Sequence, residues 1–252
     1  MNPDEVHFDD ADFIDTLYPP SGRKTNKPIA IGKRTGSKSA PNQNHKRIIH
    51  LTFELAPDSM VTTVDHDVHR RRRNAVNAFF SNNSIRRLEP IVQERLRTLL
   101  KRVRGVEGKP LEMHPVFRAC TNDVITTYAF GQSFSLLDRP DFGVPYFESS
   151  DVFFRLEHLF GHFFWLADLV QALPLWAMPM LFPNLSELVE KQSWWIDRVR
   201  EIRDAPNAEA RSKSTIFEGI LSSGLPKEDL SDKRLSAEAQ LIIFAGEGTT
   251  GK

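Results

Sequence analysis

The sequence predicts a mostly α-helical fold, and three observations carry that prediction. Apolar residues recur at helical spacing in LEPIVQERLRTLLKRV, where Leu88, Ile91, Val92, Leu96, Leu99, Leu100 and Val103 form one stripe. Turn residues separate such stretches, as in GKPLEMHP from Gly108 to Pro115. The closing segment LSDKRLSAEAQLIIFAG holds SAEAQ, a run of helix formers. At most a short N-terminal β element accompanies the helices.

In chain order, Lys24 to Lys46 has almost no apolar periodicity and many Lys, Ser, Asn, Gly and Pro, which predicts a linker or flexible loop. From Val68 a helix places Val76, Phe79 and Phe80 on one face, and a second begins after Ser84. Val116, Ala119, Cys120, Asp123 and Val124 predict a third, ending near Gly131. Val152 to Phe182 is the most apolar part of the chain, but Arg155, Glu157, Asp168, Pro174 and Pro179 interrupt it. Buried or membrane-touching helices fit that pattern better than a membrane span. Leu185 to Arg203 predicts a further helix, with a polar connection from Ala205 to Ser214. In the last helix Ser236 is the candidate N-cap, and Ala239, Ile242, Ile243 and Gly246 share a face. No internal repeat is visible.

Composition narrows the function classes. A length of 252 residues with 40% hydrophobic content allows a substantial core in one or two domains. Basic and acidic residues balance at 33 each, so no global field favours nucleic acid, and no nucleic-acid partner is expected. The single cysteine, Cys120, excludes a disulfide framework and Cys-rich metal clusters, and fits a reducing compartment. Neither a signal peptide nor a membrane anchor is legible at the N-terminus, so the chain is expected to begin soluble.

Four local patterns could carry chemistry. GEGTTGK, Gly246 to Lys252, has the spacing of a phosphate-cradling loop, but such a loop follows a strand and needs Ser or Thr after its Lys. A nucleotide-binding protein is therefore only an alternative. DHDVHRRRR, Asp65 to Arg73, could be read as a metal site, a nucleic-acid patch or a solvated helix face. Within it, His69 and Arg73 lie four apart, placed to grip the carboxylates of a large anionic cofactor. His158 and His162 have a zinc-compatible spacing but lack the metalloprotease Glu, so they are expected to be ordinary core or surface histidines. Cys120 is expected to be a buried structural thiol. Trp194, Trp195 and the aromatics from Phe153 to Trp165 could form core, an apolar substrate cavity or a membrane-facing surface.

Several segments, in order, resemble the N-terminal half of a fungal cytochrome P-450, a heme-thiolate monooxygenase of the trichodiene oxygenase type. NPDEVHFDDADFIDTLY resembles the family's early strand and helix, TVDHDVHRRRRNAVNAFFS its C helix, TNDVITTYAFGQSF its E helix, and LSAEAQLIIFAGEGTT its oxygen-binding I helix. The resemblance implies a partial P-450 fold from the B to the I helix region, over residues 1–252, with 28–54 a disordered or foreign insert. It implies heme as cofactor, NADPH-cytochrome reductase as electron donor and a small apolar substrate. His69 and Arg73 match the heme-propionate partners. Ala245 and Gly246 match the small residues that pass close over the porphyrin. Thr249 matches the hydroxyl residue of proton delivery. The preceding acid position holds Gly248, and Glu247, the other candidate catalytic residue, stands one place earlier.

Departures from the family set further expectations. The Glu-x-x-Arg pair and the loop with the axial Cys lie beyond the I helix in the family, so no metal ligand is expected here and the chain as given is expected to be inactive. A non-catalytic heme- or lipid-binding fragment is the corresponding alternative. The family sits on the endoplasmic reticulum membrane; this chain, without the anchor, is expected to be cytoplasmic or membrane-peripheral. Gly32-Lys33 and Gly251-Lys252 can each be encoded with an intron 5′ boundary, so both departures are expected to be introns read as coding sequence.

Overall fold

Asp65 starts the first long helix by accepting the Val68 N–H at 2.9 Å, an N-cap that offsets one of the orphan donors of the helix start. The computed structural model describes residues 7–18, 24, 26, 59–106, 108–162, 178–183, 186–205 and 215–251. Among these residues the regular structure is helical throughout, without strands. The expected N-terminal β element finds no strand in residues 7–18, which form a 3₁₀ turn at Ala11–Phe13 and α1, Ile14–Leu17. Residues 1–6 and the expected linker and insert, apart from Lys24 and Asn26, lie outside the described residues.

Helix α2 spans His66–Asn77 and buries Val76. A 3₁₀ turn, Ala78–Phe80, follows; it buries Phe79 but leaves Phe80 52% exposed, because the tighter winding leaves the α period that put both on one face. The next helix is two: α3, Asn82–Arg87, capped by Ser81, and α4, Glu89–Arg104, with Pro90 in its first turn. Leu99 is buried, whereas Leu96 and Leu100 are exposed. Helix α5, Met113–Phe130, stops as expected at Gly131, whose φ of 77° belongs to the left-handed region that glycine enters without strain.

Helix α6 is Val144–His162 and α7 is Met178–Leu181. The middle of the apolar stretch, 163–177, and the side chains of His158 and His162 lie outside the described residues. Helix α8 is Ser186–Asp204, and α9, Ile216–Leu221, opens on a Thr215–Glu218 capping box. Helix α10, Asp232–Gly248, begins earlier than expected: Ser231 is its N-cap. Ser236 lies inside the helix and accepts a hydrogen bond from Trp195 Nε1 at 3.0 Å. An Asp in the first turn complements the helix dipole, so the earlier start is the better one.

Helix α5 is the hub, packed against α4, α9 and α10, while α8 bridges α6 and α10. Trp195, Tyr146, Phe217, Leu235 and Ile243 are fully buried. Phe130 stacks on Phe217 with centroids 4.8 Å apart, and Trp194 meets Phe134 edge-on at 4.7 Å. Both tryptophans therefore belong to the core side of α8. Among the described residues no helix is long and apolar enough to cross a membrane.

Candidate functional site

Helix α10 has two unlike faces near its C-terminal end. Ala245 and Thr249 are exposed one turn apart, and the Thr249 hydroxyl donates to the Ala245 carbonyl at 2.7 Å. The place of a Cβ at Gly248 is open, with no atom within 4 Å. Together these residues leave a shallow face of small side chains bearing one hydroxyl.

Glu247 points the other way. Two residues from Thr249, it is turned by roughly 160° around the helix axis. It is fully buried and accepts hydrogen bonds from Asn122 Nδ2 of α5 and, at 3.1 Å, from the Tyr146 hydroxyl of α6. Arg118 of α5 lies 3.7 Å from its second oxygen, pairs with Asp151 at 3.1 Å, and sits 4.3 Å over the Phe147 ring. Burial pushes the Glu247 carboxyl up to about 7, against the pull of Asn122, Arg118 and Tyr146. Burial and the Glu247 charge also raise the Tyr146 phenol well above its usual range, which keeps its proton in place to donate.

Gly246 is not at the open face either. A Cβ there would lie 2.7 Å from Ile125 Cγ1, so the glycine serves the close approach of α10 to α5. The structure thus separates the expected group: Ala245 and Thr249 share a face, while Gly246 and Glu247 face α5. Gly246 to Gly248 form the last helical turn, not a phosphate-cradling loop; Lys252 lies outside the described residues.

The arginine run on α2 divides its labour. Arg71 Nη2 and Arg72 Nε both reach Asp229, at 2.8 Å each. Arg72 also donates to Thr63 Oγ1 at 2.7 Å, and Glu238 of α10, paired with Arg234, accepts the Met60 N–H at 3.0 Å. Burial pushes the Asp229 carboxyl up, but the two arginines outweigh it and hold it below the usual value. His69, half-buried, and Arg73, exposed, lie on an adjacent flank of the helix, one turn apart. Asp65, the first residue of the span weighed above as a metal site, caps α2. Cys120 is buried, as expected, and burial raises its thiol.

Sequence reasoning missed Asn122, Tyr146, Arg118 and Asp229. For the first three a signal existed: Glu247 directly follows the apolar run IIFAG within the same helix, and a buried carboxylate demands donors from somewhere. Nothing in the sequence says which helix supplies them.

The open Cβ position at Gly248 and the exposed, small Ala245 leave the outer face of α10 uncovered, which is compatible with a flat group lying against it, and His69 and Arg73 are residue types suited to carboxylates.

The chain matches the cytochrome P450 family model over residues 30–251. It is 34% identical to the cytochrome P450 monooxygenase tpcC of Cochliobolus heterostrophus, over 99% of this chain and 45% of that protein. It is 30% identical to the cytochrome P450 monooxygenase dpmpJ of Macrophomina phaseolina, over 98% of this chain and 69% of that protein. It is likewise 30% identical to the tryptophan 6-hydroxylase fscE of Fusarium equiseti, over 99% of this chain and 46% of that protein. The chain thus spans about half the length of most of these relatives.

Proposed function

Because this chain belongs to the cytochrome P450 family, we propose that it forms the oxygen-site half of a heme-dependent monooxygenase of fungal secondary metabolism. The observation that supports this most is the open face of α10, where Thr249 presents a hydroxyl beside Ala245 and the unoccupied Cβ position of Gly248. The substrate class is a small apolar molecule, and electrons come from NADPH-cytochrome reductase. Heme, when bound, supplies the oxygen activation that no side chain can.

The chain's own residues have narrower tasks. His69 and Arg73 pair with the propionates and orient the ring. Ala245 keeps the helix face low enough for the ring to approach. Thr249 holds a proton at Oγ1, and its bond to the Ala245 carbonyl sets where that hydroxyl stands. Glu247, turned away and held by α5 and α6, acts on this face only through the helix.

Hemin titration of the chain, followed by Soret-region absorbance and by quenching of tryptophan fluorescence, tests the reading. Saturable one-to-one binding weakened about ten-fold in Arg73→Ala is expected, equivalent to the loss of one charge-assisted pair. Binding indifferent to both Arg73→Ala and His69→Ala would overturn the cofactor assignment.

A further inference from the structure

A buried carboxylate with incomplete bonding is costly, and the cluster around Glu247 is incomplete. Arg118 Nε, Asn122 Oδ1 and Glu247 Oε1 are buried without a hydrogen-bond partner. Burying an ionised group in such company costs stability that an apolar side chain of the same volume would not. The cluster nevertheless occupies the meeting point of α10, α5 and α6, amid residues that are otherwise largely buried.

What the cluster does to α10 is specific. Asn122 and Arg118 approach from α5 and Tyr146 from α6, so the carboxylate is held from two elements at once. The grip continues past the helix end. The Gly251 N–H bonds the Glu247 carbonyl at 3.1 Å. Gly251 itself is buried against Arg118, where a Cβ would come within 2.8 Å of the Arg118 Cα. The Glu247 carboxylate thus holds the last turn, and its main-chain carbonyl holds the chain that leaves it.

From this geometry we propose that Glu247 is a positioning residue: its hydrogen bonds to Asn122 and Tyr146 hold the last turn of α10 in register and thereby set the Thr249 hydroxyl on the opposite face. The inference rests on the reading of that face as the oxygen site, but the positioning itself is a property of the chain alone. Charged groups facing Glu247 are Arg118 and Asp151, with the phenol of Tyr146 beside them. No proton route to Thr249 is involved, since the helix stands between the two side chains.

The test compares Glu247→Met and Glu247→Gln by urea unfolding and by amide hydrogen exchange. Met fills the volume but cannot accept from Asn122 or Tyr146, so both donors lose their acceptor; Gln still accepts from both. In Glu247→Met the loss of that acceptor is expected to cost global stability, and exchange of the amides of residues 248–251 is expected to quicken about ten-fold more than that of amides that exchange through global unfolding, a local opening beyond the global loss. In Glu247→Gln those amides are expected to keep their protection within about two-fold. A purely structural role would move local and global stability together, and that result would overturn the proposal. So would Glu247→Gln losing local protection by about ten-fold, a result read against wild type and therefore decisive even where the Met variant does not fold. These readouts need no heme: a failed hemin titration would sink the cofactor reading and leave this one standing, and unchanged exchange beside successful hemin binding would do the reverse.

Discussion

Arg72 of α2 and Asp229, which lies just ahead of α10, meet at 2.8 Å across 157 residues of sequence. With Arg71 on the other carboxylate oxygen, this contact ties the helix carrying His69 and Arg73 to the helix carrying Thr249. Two segments far apart in sequence are thereby joined directly.

Removing that tie is expected to be costly. Asp229→Ala leaves two arginines facing each other, one of them largely buried, and is expected to lower stability by about 3 kcal/mol, the low end for a broken buried pair because Arg71 is half-exposed. Its folded-state carboxyl is held below its unfolded value near 3.8, so the stabilisation is present above that value and is lost as pH falls through the folded one. Thermal melts at pH 7 and pH 3 check both parts: the gap between wild type and variant should shrink at the lower pH.

Glu247 has the opposite sign. Its carboxyl rises from 4.5 unfolded to about 7 folded, so between those values the folded state holds the extra proton and stability falls as pH rises. The loss approaches about 3 kcal/mol above pH 7. Glu247→Gln carries no such titration and is expected to be more stable than wild type at pH 8 and nearly equal at pH 5, as read by urea midpoints. A wild type whose stability over this range matches that of the Gln variant in slope would contradict the burial argument.

Two glycines two residues apart should respond in opposite directions to alanine. Gly246→Ala drives a methyl to within 2.7 Å of Ile125 and is expected to destabilise by about 1–3 kcal/mol. Gly248→Ala meets open space and is expected to stabilise by up to about 1 kcal/mol through helix propensity. Chemical denaturation of the two variants distinguishes packing from propensity within one helical turn. Because the Gly248 position lies on the proposed cofactor face, Gly248→Ala is also expected to weaken hemin binding while stabilising the chain.

Trp195→Phe removes the indole donor to Ser236 from a fully buried position. The expected cost is about 1–3 kcal/mol, from a lost hydrogen bond and an unfilled part of the ring's volume. Ser236→Ala alone should cost less, since the rest of the ring's packing survives. Equilibrium unfolding of the two single variants and the double variant gives the coupling directly.

How much of this was legible follows residue by residue. The helical content, the end of α5 at Gly131, the burial of Val76 and Phe79 and the buried thiol of Cys120 were all readable, because each depends on local spacing or on a single residue's conformational preference. Phe80 and the start of α10 were misplaced because a 3₁₀ turn and a choice between two serine caps are settled by competition within the fold. That His69 and Arg73 stand one turn apart on α2 followed from their spacing alone, and the face shared by Ala245 and Thr249 follows from helical geometry.

By itself, then, the sequence determined what repeats along one helix: which residues share a stripe, where caps and breakers stop it, and which charges stand one turn apart. The tertiary structure alone decided which neighbour each stripe meets. That is why Gly246 turned out to serve Ile125, why Arg71 and Arg72 are committed to Asp229, and why Glu247 lies under Asn122 and Tyr146. Local periodicity is written in the backbone's own geometry, whereas the partner of a buried charge is set by the packing of helices remote in sequence, where the cost of leaving that charge alone is highest.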